Sequence, residues 1–338
     1  MKSVVSILLV LLFTAVHGPL LAGGGHVSSL RPVNTYSIVA RDPATGQLGV
    51  AVQSHWFAVG SLVPWAQSGV GAVATQSFID VRYGVDGLQL MAQGRPAAQA
   101  LKQLLAADPN PAVRQVGMID ADGNVAQHTG DNCIQYAGHL AGDNYAVQSN
   151  LMVTEGVPEA MARAYESAQG PLAERLLAAL EAAGALGGDL RGRQSAAVLV
   201  VKGKPGKHPW EDRLVDLHVE DHPTPLLELR RLLTLHTAYR LMNLGDHSLE
   251  ADDVDGALAH YGQAEALAPD NLEMKFWHAV SLVNAGRVDD AMPLFATVFR
   301  QDRDWQTLLP RLAAEELVNA DPATLSRIMK VNPQEALQ

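Results

Sequence analysis

The fold of the first part of this chain is decided by the stretch TYSIVARDPATGQLGVAV, residues 35–52. Two apolar runs, at 36–40 and 48–52, flank residues 42–46, whose proline and glycine favour a turn. Short apolar runs on either side of a turn are typical of a β-hairpin. We therefore predict that a hairpin opens the folded part of the protein.

Strands and helices follow one another in groups over the next 170 residues or so. Helical spacing of apolar residues predicts two helices between residues 88 and 105, and others between 158 and 185. Grouped strands interrupted by pairs of helices fit two helix-covered sheets better than the strict alternation of a doubly wound fold. Further strands are predicted at 61–65, 70–74, 113–119, 124–128, 145–153, 195–201 and 213–219.

Beyond residue 222 the sequence is helical. The two prolines of the segment HPTP, residues 222–225, stop the preceding strand and mark a boundary. A repeat follows, in which Ala257 and Tyr261 recur 34 residues later as Ala291 and Phe295. This spacing is typical of the tetratricopeptide repeat and predicts an all-α module over 226–338. Because two copies are few, the flanking helices are expected to act as caps.

The N-terminus has the layout of a secretory signal peptide. Lys2 is followed by an apolar run at 4–16 and by small residues that end at Ala22. The run is shorter than the roughly 20 residues that a bilayer span needs. We expect a signal peptide over 1–22, a flexible leader over 23–34, and a secreted or periplasmic protein without stable membrane insertion after processing. An uncleaved membrane anchor is the alternative.

Composition excludes several classes of function. The chain has 338 residues, 48% apolar and 18% charged, which is typical of a globular protein. A formal net charge of -11 argues against a nucleic-acid partner, since such proteins present a basic face. The 12 histidines are dispersed and show no metal-ligand spacing, and the single cysteine cannot form an internal disulfide. We expect neither a metal nor a cofactor.

Thr35 is the most informative residue, because it stands directly before the first strand and after a removable leader. A threonine at a processed N-terminus carries a hydroxyl nucleophile and an α-amino base in one residue. Its side chain is expected to bury little surface there. The alternative is an ordinary β-forming residue with no chemical role.

Several long motifs raise the first possibility, and they lie at 35–42, 49–52, 63–66, 69–76 and 192–197. Together they resemble the bacterial family catalogued as domain of unknown function 1028. The resemblance implies an α+β fold of the N-terminal-nucleophile hydrolase type, an αββα sandwich over 35–222, with Thr35 as nucleophile. A cut between Asn34 and Thr35 would then be needed, by autoproteolysis or by another protease.

Polar residues at strand ends are candidates for supporting roles. Ser54 and His55 end the second strand, where they could orient the Thr35 hydroxyl or lower the pKa of its amine. Gln76, Gln148 and Asn150 could donate hydrogen bonds to an oxyanion. The alternatives are a structural histidine and amides that satisfy the loop backbone.

A second polar group precedes the strand at 195–201. It contains Asp189, Arg191, Arg193, Gln194 and Ser195. An arginine fork suits a substrate carboxylate, although a structural ion pair with Asp189 or Asp212 would explain the two arginines equally well.

We carry two hypotheses for the function, of which the first follows from what the resemblance implies for Thr35 and the second from the helical repeats. The first is an exported amidohydrolase that acts on a small amide or peptide through an acyl-Thr35 intermediate. The second is a non-catalytic binding or assembly protein, in which the helical repeats hold a protein partner.

Overall fold

The computed structural model describes residues 32–33 and 35–331. The predicted signal peptide, its cleavage site and most of the leader lie outside these residues. Within the described ranges the chain is a mixed α+β structure with two antiparallel sheets, followed by a helical region, as the sequence predicts.

The larger sheet has six strands in the described chain. They are β1 (Thr35–Arg41), β2 (Leu48–Ser54), β7 (Gly138–Gly142), β8 (Tyr145–Ser149), β9 (Ser195–Val201) and β10 (Arg213–Val219). Their order in the sheet is β10-β9-β2-β1-β8-β7. The predicted hairpin is confirmed, because β1 pairs with β2 from Thr35 opposite Ser54 to Arg41 opposite Leu48.

The smaller sheet consists of β3 (Pro64–Gln67), β4 (Gly71–Ser77), β5 (Arg114–Asp120) and β6 (Val125–Thr129), in that order. The strand predicted at 61–65 is only partly right, since a 3₁₀ turn occupies Val59–Ser61 and the strand begins at Pro64. Strand β7 was not predicted, because its sequence GHLAG lacks a clear apolar alternation.

Two pairs of helices cover the outer faces of the sheets. Helices α1 (Arg82–Ala92) and α2 (Ala97–Ala107) pack on the smaller sheet. Helices α3 (Val157–Ser167) and α4 (Leu172–Ala185) pack on the larger sheet. Gly84 allows α1 to approach closely, since a Cβ atom there would lie 2.3 Å from the Trp65 ring. The layers therefore run helices, sheet, sheet, helices.

Alternation along the strands fills the layer between the two sheets. In β1, Tyr36 and Ile38 face the helices, whereas Ser37 and Val39 face the other sheet. At one end this layer is apolar, with Val39, Val50 and Ile119 fully buried; we call it the apolar end. The opposite end, which we call the polar end, contains Thr35, Ser37, Ser54, Gln76, Gln115, Gln148 and Asn150.

The helical region confirms the repeat. The repeated positions Ala257, Tyr261, Ala291 and Phe295 are all fully buried, as expected for helices that stack on their neighbours. The helices are α5 (Pro225–Glu250), α6 (Val254–Leu267), α7 (Leu272–Asn284), α8 (Val288–Gln301), α9 (Arg303–Ala314) and α10 (Pro322–Met329).

Helix α5 belongs to both parts of the molecule. Leu229 and Leu233 pack in the core between the larger sheet and its helices, whereas Ala238 and Met242 pack with the repeats. The predicted boundary segment, residues 222–225, follows β10 and reaches the first residue of α5, and independent folding of the two sides stays a prediction. None of the described helices combines the length and apolar character that a membrane span requires.

Candidate functional site

Thr35 is the first residue of β1, at the polar end. Its side chain lies on the face of β1 that Ser37 and Val39 share, because residues two apart point to the same side of a strand. The expectation that this side chain buries little surface is wrong, since Thr35 is 0% exposed. Thr35 Oγ1 donates a hydrogen bond to the Val33 carbonyl at 2.8 Å and lies 3.2 Å from Ser54 Oγ.

Strand pairing places three hydroxyl side chains in one row. Thr35 lies opposite Ser54 on β2, and Ser54 lies opposite Ser195 on β9. Ser195 Oγ donates to the Trp56 carbonyl and accepts from the Val59 N–H at 3.2 Å, so it holds the loop that follows β2. Ser54 therefore has the geometry to orient the Thr35 hydroxyl, while Ser195 secures the chain beside it.

His55 and Asp189 connect two loops at this end of the sheet. The backbone N–H of His55 donates to Asp189 Oδ2 at 3.0 Å. Asp189 is 2% exposed and accepts from Arg191 Nε at 3.1 Å and Nη2 at 2.8 Å, so its buried charge is paired. Within the described chain, the buried His55 Nδ1 has no hydrogen-bond partner. The ring therefore has a nitrogen available for a further contact.

The side chains of Arg193 and Gln194, the remaining members of the second polar group, bond to other parts of the chain. Arg193 Nη2 is 3.4 Å from the Gly184 carbonyl, and Gln194 Nε2 donates to Asp221 Oδ1 at 3.2 Å. Burial raises the pKa of the Tyr36 phenol well above its ordinary value; the charge of Arg193 lowers it and that of Asp189 raises it, both to a smaller extent. Arg193 thus acts on the helix-facing side of the larger sheet.

The three predicted amides form a network between the sheets. Gln76 Nε2 donates to the Thr35 carbonyl at 3.2 Å and to Gln115 Oε1 at 2.7 Å. Asn150 Nδ2 donates to the same Gln115 oxygen at 2.8 Å, and its backbone N–H donates to the Thr35 carbonyl at 3.0 Å. Gln148 Nε2 donates to Ser37 Oγ and to the Ala74 carbonyl. These donors have protein acceptors, and their role toward an oxyanion stays a prediction.

Gln115 is the central residue of this network, and it is not among the site residues predicted from the sequence. Its Nε2 group donates to Thr129 Oγ1, to the Gly138 carbonyl and to the Ser149 carbonyl. The alternation of side chains along β5 could have identified it, because Gln115 lies on the same inward face of the strand as the buried Ile119. A glutamine in that pattern is a buried polar group that requires partners.

A buried charge cluster lies beside the polar end, where β4 and β5 pair at Ser77 and Arg114. Arg114 Nε donates to Asp108 Oδ2 at 2.7 Å, and the Tyr83 hydroxyl donates to the same oxygen at 2.9 Å. Burial acts to raise the pKa of Asp108, but hydrogen bonds from Arg114, Asn110 and Tyr83 outweigh it and hold the pKa below its ordinary value. This cluster fixes the end of β5.

Among the described residues, no group of three or more histidine, cysteine or acidic side chains has the arrangement of a metal site. The side chains at and beside the polar end supply hydroxyl, amide and imidazole groups and one paired carboxylate.

Comparison with protein families gives two matches. Residues 35–229 match a family of unknown function, DUF1028, and residues 248–312 match the tetratricopeptide repeat. None of the curated proteins compared matches the chain.

Several solved structures resemble this chain. A crystal structure of a DUF1028 protein from Silicibacter pomeroyi has 30% sequence identity and a TM-score of 0.54, and the match covers 60% of this chain and 89% of that one. Anbu (ancestral beta-subunit) from Yersinia bercovieri has 14% identity and a TM-score of 0.29, covering 58% and 92%. The second likeness is too weak to inform fold or function.

Proposed function

The chain belongs to the DUF1028 family of unknown function, and we propose, from the geometry around Thr35, that it is an exported amidohydrolase with an N-terminal threonine nucleophile. One observation carries the proposal. The family match begins at Thr35, and this residue opens β1 with its hydroxyl 3.2 Å from Ser54 Oγ at the polar end. Its substrate would be a small amide or peptide.

The layer order supports the same proposal. Two stacked antiparallel sheets between two pairs of helices fit an αββα sandwich of the N-terminal-nucleophile hydrolase type. In such an arrangement the first residue of β1 stands at the end of the inter-sheet layer, where a removed leader would open a path to solvent.

The proposed reaction uses the two functional groups of Thr35. Once liberated, the α-amine has a pKa of about 8 and can accept the hydroxyl proton. Oγ1 then attacks the substrate amide carbon, the C–N bond breaks, and the amine leaving group takes that proton. Water hydrolyses the resulting Thr35 ester and releases the acid. Ser54 would orient the hydroxyl, and His55 would tune the site through a further hydrogen bond.

Processing is a condition of this chemistry. With residues 32 and 33 in place, Thr35 is 0% exposed and its nitrogen belongs to a peptide bond. A cut between Asn34 and Thr35 would free the amine and uncover the hydroxyl. Attack of Thr35 Oγ1 on the preceding carbonyl and trimming by another protease are both compatible with the sequence.

The test is the N-terminal residue of the protein purified from its native compartment, measured by mass spectrometry alongside turnover of small N-acyl amides. We expect a start at Thr35. A uniform start at Gly23 in fully active material would remove the basis for α-amino catalysis.

A second function has its own support in the helical region. The repeats suggest protein–protein interaction, and they carry a groove of about 320 Å³ between α5 and α7, lined in part by Met242, Trp277 and Glu273. If the mature protein keeps its leader and hydrolyses no amide, we would assign the chain to partner binding, with the sheets as a scaffold. In that case, Trp277→Ala should weaken peptide capture by the full chain.

A further inference from the structure

Residues 32 and 33 lie against the polar end as a ligand would. Val33 is 0% exposed and forms an antiparallel bridge with Ser77 at the end of β4. Its N–H donates to the Ser77 carbonyl at 2.6 Å, and its carbonyl accepts from the Ser77 N–H at 3.0 Å. The Val33 carbonyl also accepts from Thr35 Oγ1. A short piece of leader thus makes backbone contacts with the sheet and with the proposed nucleophile.

Ser77 and Arg191, at the ends of the sheets, are placed to bind residues 32 and 33. Ser77 has a backbone φ of 68°, a left-handed conformation that L residues seldom adopt. Such strained residues occur most often at binding and active sites. Arg191 Nη1 donates to the Pro32 carbonyl at 3.3 Å, while Asp189 holds the same guanidinium in place. Ser77 and Arg191 together present donors and an acceptor to an extended chain.

The side chain of Val33 decides what fits there. It belongs to the buried apolar cluster between the sheets that also contains Val59 and Ile79. A charged side chain at the same position would have to lose its hydration without a partner, which is strongly unfavourable. The position therefore selects for a small aliphatic group.

From these contacts we propose that the strip held by Pro32 and Val33 becomes the acyl-side substrate subsite once the leader is removed. This inference rests on the proposed function and names its substrate class. The substrate is an extended peptide, or an N-acyl amino acid amide of similar shape, with a β-branched aliphatic residue one position before the residue that carries the scissile carbonyl. Ser77 pairs with its backbone, and Arg191 binds the carbonyl one residue further away.

In the proposed chemistry, the leader and the substrate each form an ester with the same atom, Thr35 Oγ1. If Thr35 Oγ1 attacks the carbonyl carbon of residue 34, the bond to the Thr35 nitrogen breaks and an ester forms, with the leader as its acyl group. The amine takes up the hydroxyl proton, and water then releases the leader as an acid. Hydrolysis of a substrate forms an ester at the same oxygen. Its acyl group therefore extends along the same strip, and its second residue takes the place of Val33.

The first experiment measures kcat/KM of the mature enzyme with acetyl-Pro-Val-Asn coupled to a fluorogenic amine. Aspartate in place of the valine should lower kcat/KM by roughly a hundredfold, because a carboxylate would be desolvated. N-methylation of the valine should lower it by roughly tenfold, because the N–H that bonds to Ser77 is lost. Equal rates for all three probes would overturn the subsite.

The second experiment does not depend on catalysis. A labelled peptide of residues 28–34, SSLRPVN, is titrated by fluorescence anisotropy into a Thr35→Ala chain that starts at residue 35. We expect saturable binding that weakens at least tenfold when the valine is N-methylated or replaced by aspartate. Hydrolysis without a preference for valine would reject the subsite and leave the proposed function standing. Valine-dependent binding without hydrolysis by the mature enzyme would reject the proposed function and leave the binding strip standing.

Discussion

The two ends of the layer between the sheets differ in how they are held together. At the apolar end, Val39, Val50 and Ile119 fill the space with aliphatic carbon. At the polar end, an equally buried space is filled by hydroxyl and amide groups that bond to one another and to the backbone. Strands β1, β2 and β5 contribute residues to both ends, so the same strands carry aliphatic side chains at one end and polar side chains at the other.

This contrast separates residues that build the fold from residues placed for another purpose. Buried amides are stable only when their partners are present, and several polar atoms at this end lack one in the described chain, including Gln148 Oε1 and Asn150 Oδ1. An aliphatic layer would avoid that cost. The polar end is therefore the part of the layer whose composition requires a functional explanation.

The largest expected effect is on activity, at the polar end. Thr35→Ala should lower amide hydrolysis by about 10⁴-fold, because it removes the proposed nucleophile. The change in the free energy of unfolding should be about 1 kcal/mol, since one buried hydroxyl and its hydrogen bonds are lost. Kinetics with a confirmed substrate and thermal melts measure the two quantities.

Thr35→Ser is the matched control, because it keeps a hydroxyl beside the amine, and it should retain part of the activity. His55→Ala should weaken turnover without abolishing it. Turnover by Thr35→Ala at the wild-type rate would show that the nucleophile is elsewhere.

The apolar end should show the opposite pattern. Ile119→Ala should destabilise the protein by about 3 kcal/mol, because it leaves a cavity in a fully buried aliphatic cluster. The kcat of the remaining folded enzyme should change little. Ile119→Val should cost about 1 kcal/mol. Denaturant unfolding followed by circular dichroism gives these values, and a large loss of kcat in Ile119→Val would erase the distinction between the ends.

Gln115 provides an intermediate test. Gln115→Ala should cost about 2 kcal/mol, because donors on Gln76 and Asn150 lose a shared acceptor. It should also reduce activity, since both residues hold the Thr35 carbonyl. The control is Gln127→Ala, which removes one hydrogen bond to the Val147 carbonyl from a partly exposed site. If the two variants were equally stable and active, the network would have no special role.

The smallest expected effect is the pH dependence of the charge cluster beside the polar end. Arg114 and its neighbours hold the pKa of Asp108 below its ordinary value, so this carboxylate stabilises the fold above about pH 4 and the contribution is lost as pH falls through the lowered pKa. Asp108→Asn should cost about 1.5 kcal/mol at pH 7 and progressively less in acid.

Urea unfolding at a series of pH values measures this difference. The control is Asp216→Asn, whose partners are the largely exposed Arg213 and the partly exposed His218, and it should change stability by less than about 0.5 kcal/mol. A constant difference between wild type and Asp108→Asn at every pH would contradict the assignment.

Local patterns predicted the elements of this fold well. The hairpin of β1 and β2 follows from two apolar runs around a Pro- and Gly-containing turn, and the repeat follows from residues spaced 34 apart that prove to be buried. Strand β7 could not be predicted, because its residues carry little apolar signal. It is held by pairing with β8, from Gly138 opposite Ser149 to Gly142 opposite Tyr145.

The site was harder to predict, because it depends on contacts between distant strands. Thr35, Ser54 and His55 were identified from their places at strand ends, and the register brings the first two together. The central position of Gln115 and the bridge between Val33 and Ser77 join segments that are far apart in sequence. No local pattern reports such pairings, and the assignment of roles to these residues stays a prediction.

Helix α5 has a geometric consequence for how the two parts of the molecule are arranged. Its early residues Leu229 and Leu233 are fixed to the sheets, and its later residues Ala238 and Met242 are fixed to the repeats. Each helical residue adds about 100° of rotation and 1.5 Å of rise. One residue inserted between Leu233 and Ala238 would therefore swing the repeat groove by more than a quarter turn around the helix axis. The number of residues between Leu233 and Ala238 in α5 therefore sets the direction in which the repeat groove faces relative to the sheets.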